Sequence, residues 1–221
     1  MGERPSTRLP VLAGAVCWLL ALEWFVGQAI AQAAWRTPYS LSSNFVSDLG
    51  AATCGRSTLP GYPVYVCSPL HDVMNLSFVV LGLLTLAGVV LLRGTWPQRR
   101  LTTGGLIFLA LFGIGKVLVG LGPEDVRRAL HAVGSLGILC GTVGIQLLGL
   151  ATWRTARRQA MVSLAVGVVG LISFVLLVLG AGSHGQVGTF ERLADWPLPL
   201  WLAALGPMLV RSPEPGTRPV T

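Results

Sequence analysis

The chain has 221 residues, of which 52% are hydrophobic and only 11% charged, with a net charge of +7 and a mean hydropathy of +0.68. An ordinary soluble domain carries roughly a quarter of its residues charged, and a disordered chain needs low hydrophobicity, so both are excluded. The apolar segments are long and continuous, whereas a membrane barrel shows alternating stretches of about ten residues. The composition therefore predicts an all-α integral membrane bundle.

Crossing the hydrocarbon takes about 20 apolar residues at 1.5 Å rise each, and six segments qualify. The first runs over 9–35. Arg4, Arg8 and the small-residue triplet Ala31-Gln32-Ala33 allow a signal-peptide reading. The apolar stretch is too long for that, however, and it carries Glu23, Gln28 and Gln32, so a retained helix is expected. A connection containing Cys54 and Cys67 follows, and it is too long to be a plain loop. The second span, 68–92, opens on His71, Asp72 and Asn75, which lie three and four residues apart and share a helix face. The third, 101–121, carries Lys116 about 8 Å from its end. The fourth, 125–153, begins at Gly122-Pro123-Glu124-Asp125, with proline early and acids in the first turn, as a helix start requires. Arg127, Arg128 and His131 follow. The fifth covers 159–181, a glycine-rich turn holds His184, and the sixth covers 188–210 behind Glu191 and Arg192. Residues 212–221 form a Pro-rich tail, and 1–211 form one transmembrane domain without a defensible internal repeat.

Six spans put both termini and the two short loops near residues 93–100 and 153–158 on one side. That side holds ten basic residues, including Arg93, Arg99, Arg154 and Arg218, against six on the other. An excess of Lys and Arg marks the cytoplasmic face, so both termini are expected inside a cell membrane. The charge of +7 is then a matter of topology, and no nucleic-acid partner is implied. Trp96 and Trp153 at one boundary, with Trp35, Tyr39 and Trp196 at the other, read as aromatic belts. Cys54 and Cys67 fall outside, where oxidising conditions favour a disulfide, while Cys17 and Cys140 sit in helices as small apolar fillers.

Ionisable groups at membrane level are costly, so their placement is the functional clue. Asp48, Asp72, Glu124, Asp125, Glu191, Asp195 and all three histidines gather on the outer side. Glu23 lies near mid-depth, where Lys116 either neutralises it or snorkels outward. Glu124, Arg127 and Arg128 have a plain reading as a solvated helix cap, and His71 and His184 as structural and loop residues. His131 is deeper and points into protein.

The segment Tyr39-Ser40-Leu41-Ser42-Ser43-Asn44-Phe45-Val46-Ser47-Asp48-Leu49-Gly50 resembles the Ser-Asp-Leu-Gly signature of a bacterial membrane family of unknown function, number nine-nine-eight. That family is similar in layout to the DRAM and FRAG membrane proteins. His71-Asp72-x-x-Asn75, Gly122-Pro123-Glu124-Asp125 with His131, and Gly188-Thr189-Phe190-Glu191-Arg192 fit it in order. The resemblance implies a six-helix bundle with a polar outer cluster and brings no reaction with it.

The residues themselves favour an outer pocket, roofed by the disulfide-pinned loop, for a lipid, isoprenoid or similar amphiphile. Asn44, Ser47, Asp48, Asp72, Asn75, His71, Lys116, Glu191 and Arg192 are candidate ligand groups, with Arg127 or Arg128 for a phosphate. Two enzymatic alternatives use the same groups. A metal hydrolase would draw on His71, His131 and His184 with nearby acids, although no paired-histidine motif is present. An acid-catalysed isoprenoid cyclase or isomerase would use Glu23 or Asp48 as proton donor, with tryptophans facing a carbocation. A small transporter is a further alternative, which lacks the paired broken helices or inverted repeat that transporters carry. A haem carrier would need axial histidines at matching depth. No cofactor or oligomeric state is implied.

Overall fold

The computed structural model describes residues 8–59, 61–181 and 185–211. Among them six helical segments are long and apolar enough to cross a membrane, Arg8–Ala33, His71–Thr95, Arg100–Leu121, Arg128–Thr152, Arg157–Val178 and Val187–Val210. The four middle segments carry the uninterrupted helices α3 (His71–Leu92), α4 (Arg100–Leu121), α5 (Arg128–Thr152) and α6 (Arg157–Val178); the first and last are each broken.

The first span divides into α1 (Arg8–Leu20) and α2 (Glu23–Ala33). Across the join the amides of Ala21 and Leu22 reach back only three residues, to the carbonyls of Trp18 and Leu19. Such a tight turn inside a helix marks a hinge or a strained sequence. Glu23 then opens α2, where a carboxylate complements the helix dipole. The last span divides into α7 (Val187–Asp195) and α8 (Pro197–Arg211) around Trp196. Here the cause is chemical: Pro197 has no amide hydrogen to continue the ladder and is suited to the first turn of a new helix. The span expected to be continuous is therefore two half-helices.

Each span packs on its neighbours in the chain, α2 and α1 on α3, then α4, α5, α6, and α6 on α7, while α8 returns to α1. Six consecutive spans thus close a ring, which short connections favour. Trp18, Trp24, Met74, Phe78, Phe112, Ile145 and Leu198 fill it. Large apolar side chains also cover the outside, with Leu76 63% and Val178 69% exposed, as a lipid-facing surface requires. α4 and α5 meet backbone to backbone. A methyl group built on Gly115 would stand 2.5 Å from the Gly134 carbonyl oxygen and 2.8 Å from Gly137 Cα, so only glycine fits this seam.

One end of the ring carries the start of α1 at Arg8 and the end of α8 at Arg211, and the other carries the 34–70 connection, here called the cap. In the cap, residues Ser47–Gly50 form a single 3-10 turn, and β1 (Gly55–Arg56) pairs antiparallel with β2 (Tyr65–Val66). The expected Cys54–Cys67 disulfide closes this small hairpin.

Candidate functional site

The cap is held to the bundle by side chains that spend themselves on its backbone. Asp125 accepts hydrogen bonds from the Ala52 amide (3.0 Å), the Thr53 amide (2.7 Å) and the Thr53 hydroxyl (2.6 Å). Arg128 donates to the Thr58 hydroxyl. Asn75 Nδ2 donates to the Gly50 carbonyl at 2.9 Å and the Ser68 hydroxyl to that of Leu49 at 2.7 Å. From α7, Arg192 Nη1 donates to the carbonyls of Leu41, Asn44 and Gly188, and its Nη2 donates to the Tyr39 hydroxyl. The amide of Val46 donates to Glu191. Gly188 permits this approach, because a methyl group there would meet the Asn44 carbonyl oxygen at 2.1 Å. Burying a guanidinium that is only 6% exposed is costly unless such acceptors surround it.

Asp48 sits fully buried in the Ser47–Gly50 turn. Its Oδ2 accepts from the Asn44 amide nitrogen at 3.1 Å, the Phe45 amide at 3.0 Å and the Tyr62 hydroxyl. Its Oδ1 is buried and has no donor. Beside it lies Glu124, within hydrogen-bonding reach of both Ser47 and Asp48. Burial raises both carboxyls above the ordinary range, and Glu124 is raised furthest, because the charge of Asp48 adds to its desolvation. Two carboxyls in contact cannot both ionise cheaply. A proton on either carboxyl relieves that repulsion. Burial and the neighbouring carboxylates likewise raise the Tyr62 phenol.

Glu124 also faces outward, into a cavity of about 270 Å³ between the hairpin and the start of α5. Asp125, Arg128 and His131 share its wall with Leu59, Val66 and Ala132. His131 Nδ1 lies 3.0 Å from the Gly122 carbonyl. A carbonyl only accepts, so Nδ1 carries the hydrogen and Nε2 is left for the cavity. On Asp125, partial desolvation pushes upward, but the hydrogen bonds from Thr53 and Ala52 prevail and its carboxyl stays below the usual range.

A second polar centre lies inside the bundle, about 8 Å below the cap end of α4. Lys116 on α4 and Asp195 at the end of α7 form an ion pair in which both side chains are almost fully buried. The ammonium also lies 4.9 Å from the Trp24 ring centre, 5.2 Å from that of Phe78 and 5.5 Å from that of Phe112, which replaces lost hydration with π-electron density. Lys116 thus takes Asp195, and neither Glu23 nor the membrane interface, as its partner. Glu23 instead accepts from the Ser77 hydroxyl at 2.9 Å, and its other oxygen is buried without a donor. Gln28 bridges the broken spans by accepting from Trp196 Nε1 at 3.1 Å.

The residues read from sequence therefore divide into groups. Asn44, Ser47 and Asp48 form the buried floor beneath Glu124, whereas Arg128 and His131 line the cavity itself. Asn75, Glu191 and Arg192 hold the cap in place. His71 and Asp72 lie apart from the cavity: His71 Nδ1 contacts the Ser68 carbonyl, and Asp72, with its side chain 94% exposed, stands 3.4 Å from His71 Nε2. Arg127 donates to the Leu121 carbonyl at the rim. His184 lies outside the described residues. Among the described residues no three His, Cys, Asp or Glu side chains come together as a metal-binding group.

Glu124 with its neighbour Asp125, Asp195 and Tyr62 were not singled out as site residues by sequence reasoning. Glu124 reads as a solvated helix cap because its local motif already explains an acid there. Asp195 reads as one more outer carboxylate, and the Pro197 that follows it was the available signal of a break at its level. Tyr62, in the middle of a proline-rich loop, carried no signal.

Comparison with curated proteins finds no match, and comparison with solved structures finds none. The family model described as "Protein of unknown function (DUF998)" matches residues 13–208. A match over nearly all of the six-span bundle, cap included, makes this chain a member of the DUF998 family of membrane proteins.

Proposed function

We propose that the cavity beneath the hairpin binds the polar head of a membrane amphiphile, such as an anionic lipid or an isoprenoid phosphate. The observation that carries this reading is the make-up of the wall. Arg128 presents guanidinium donors and Glu124 a carboxyl that burial raises above the usual range, and His131 presents Nε2. A head rich in acceptor oxygens meets Arg128 and Glu124, and a hydroxyl on it meets Nε2. Leu59, Val66 and Ala132 supply the apolar side, and Val133 beside them is 58% exposed toward the surroundings of the bundle, where an acyl or prenyl chain has room. With the basic loops on the cytoplasmic side, this cavity opens to the outer leaflet.

Catalysis is a second reading with its own observation: a carboxyl kept protonated against a cavity is a general acid in waiting. Glu124 would deliver the proton and Asp48 would accept it back. This arrangement favours acid chemistry over a metal hydrolase, whose candidate ligands His71 and His131 lie in different parts of the cap end.

Native mass spectrometry of the purified protein, with elemental analysis in parallel, tests the reading. A defined amphiphile bound one to one, and lost in Arg128→Ala, is the expected result. Equal lipid content in both proteins overturns it, and a stoichiometric metal lost with His131→Ala transfers the site to the hydrolase class.

A further inference from the structure

Helices α3 and α4 touch along their cap half and part toward the other end. A methyl group built on Gly120 would stand 2.4 Å from the Asn75 carbonyl oxygen, and one on Gly82 2.4 Å from that of Gly113. Farther from the cap the glycines turn to other partners: Gly88 of α3 faces Trp18 of α1, and Gly105 of α4 faces Gly144 and Leu148 of α5. A cavity of about 470 Å³ opens there between α3 and α4. Small-ligand sites span about 300–1,000 Å³, so it is large enough to hold a molecule.

The connection between the two helices does not fill this space. Arg93–Thr95 make a 3-10 turn, and the buried Trp96 turns inward to stack on Trp201. Gln98 donates to the Trp96 carbonyl and the Thr102 hydroxyl to that of Pro97, so these donors are spent on the turn itself. What remains is a mouth with two guanidinium groups, Arg93 and Arg99, and apolar walls that include Val90, Ile107 and Ala110. Ala110 lies about 15 Å above the start of α4 at Arg100, a depth equal to half the hydrocarbon core. Val90 is 60% and Ile107 55% exposed, so the cavity is a groove open sideways to lipid.

The charge at the mouth is uncompensated. Among the described residues neither guanidinium has an ion-pair or hydrogen-bond partner, and no Asp or Glu occurs between Asp72 and Glu124. Basic pockets between membrane helices receive anionic lipid heads, and a zwitterionic head would bring an ammonium group that no carboxylate among the described residues of the groove meets. We propose that this groove holds one anionic glycerophospholipid of the leaflet opposite the cap, with its phosphate at Arg93 and Arg99 and one acyl chain along Val90, Ile107 and Ala110. Guanidinium groups match phosphate oxygens with paired hydrogen bonds, and the apolar walls extend as deep as one leaflet. This site lies at the other end of the bundle from the cap cavity, goes beyond the headgroup reading and does not depend on it.

The test uses the full-length protein, delipidated in detergent and titrated by native mass spectrometry. The probes are phosphatidylglycerol, phosphatidylcholine with the same acyl chains, and glycerol phosphate, which is the head without its chains. Phosphatidylglycerol is expected to bind about tenfold or more tightly than either of the others. Arg93→Gln/Arg99→Gln should weaken it by about tenfold for each arginine, and Val90→Trp, which fills the groove and leaves the charge in place, should weaken it as well. Arg154→Gln/Arg158→Gln removes the same charge from another loop at this end and should change nothing. All four arginines are exposed, so neither double variant threatens the fold. Equal binding of the two lipids, or equal loss in the two double variants, overturns the site in favour of diffuse attraction. Glycerol phosphate binding as tightly as the lipid makes the groove an anion site and overturns the lipid. In Arg128→Ala, which removes the guanidinium of the cap cavity, phosphatidylglycerol binding that persists supports the groove whatever the fate of the headgroup reading, and binding that vanishes overturns it.

Discussion

Between α4 and α5 the helices touch through their backbones, with Gly115 set against Gly134 and Gly137. Between the two broken spans Gly206 also lies close to the Ala15 backbone, but large and polar side chains add to the contact: Phe25 edge-on to Trp196, Gln28 bonded to Trp196, and Trp18 tilted against Trp201. The glycine seam leaves no space and no charge. The broken spans leave helix ends at mid-depth, and the ionisable groups collect there. The two features meet on α4, where Gly115 packs against α5 while Lys116 reaches Asp195 of the last span.

The largest effect is expected where a charge would be stranded. Asp195→Ala leaves Lys116 buried without a partner and should cost about 3–5 kcal/mol, read as a lowered midpoint of thermal unfolding in detergent. The double variant Lys116→Met/Asp195→Leu should recover most of that loss, because it removes both charges together. A double variant as unstable as the single one would show that the pair is held for more than charge balance. Next comes the cap: Cys54→Ser/Cys67→Ser frees a short loop and should cost about 3 kcal/mol of local stability, seen as faster proteolysis confined to residues near the hairpin.

On the glycine side, Gly115→Ala forces a methyl group onto backbone atoms that cannot swing away, at a cost of about 1–3 kcal/mol. The same substitution at Gly55, which has nothing within 4 Å, should be close to neutral in the same assay. Equal effects at the two sites would remove the distinction between seam and cap.

The smallest effect is one of sign. Asp125 has a carboxyl held below its usual range, so its anchoring of the cap is present at neutral pH and is lost as pH falls through that lowered value. Glu124 is raised, so its contribution is full under acid conditions and is lost as pH rises through the raised value. Cap protection, followed by hydrogen exchange against pH, should lose its acid-side decline in Asp125→Asn and its alkaline-side decline in Glu124→Gln. Exchange that ignores both substitutions would detach the cap from these carboxyls.

Much of this was open to reading in one dimension. Six spans follow from hydropathy alone, and the Cys54–Cys67 bridge follows from two cysteines in one exposed connection. Pro197 marks in the sequence the place where the last span breaks. The break before Glu23 had no such mark, since Ala21 and Leu22 are ordinary helix residues, yet their amides reach back only three residues. Glu124 was misread for a related reason: a helix-start motif explains an acid locally, and only the fold of the cap brings Asp48 against it.

Composition and periodicity determined the environment, the number of crossings and the crowding of acids toward one end, because transfer of apolar residues out of water and the cost of stranded charge act residue by residue. Pairing was decided only in three dimensions. In sequence Lys116 had Glu23 or the membrane interface as its candidates, and the packing of the last span into the ring set Asp195 against it. Electrostatic partnership depends on distance and local dielectric, and both exist only once the chain has packed.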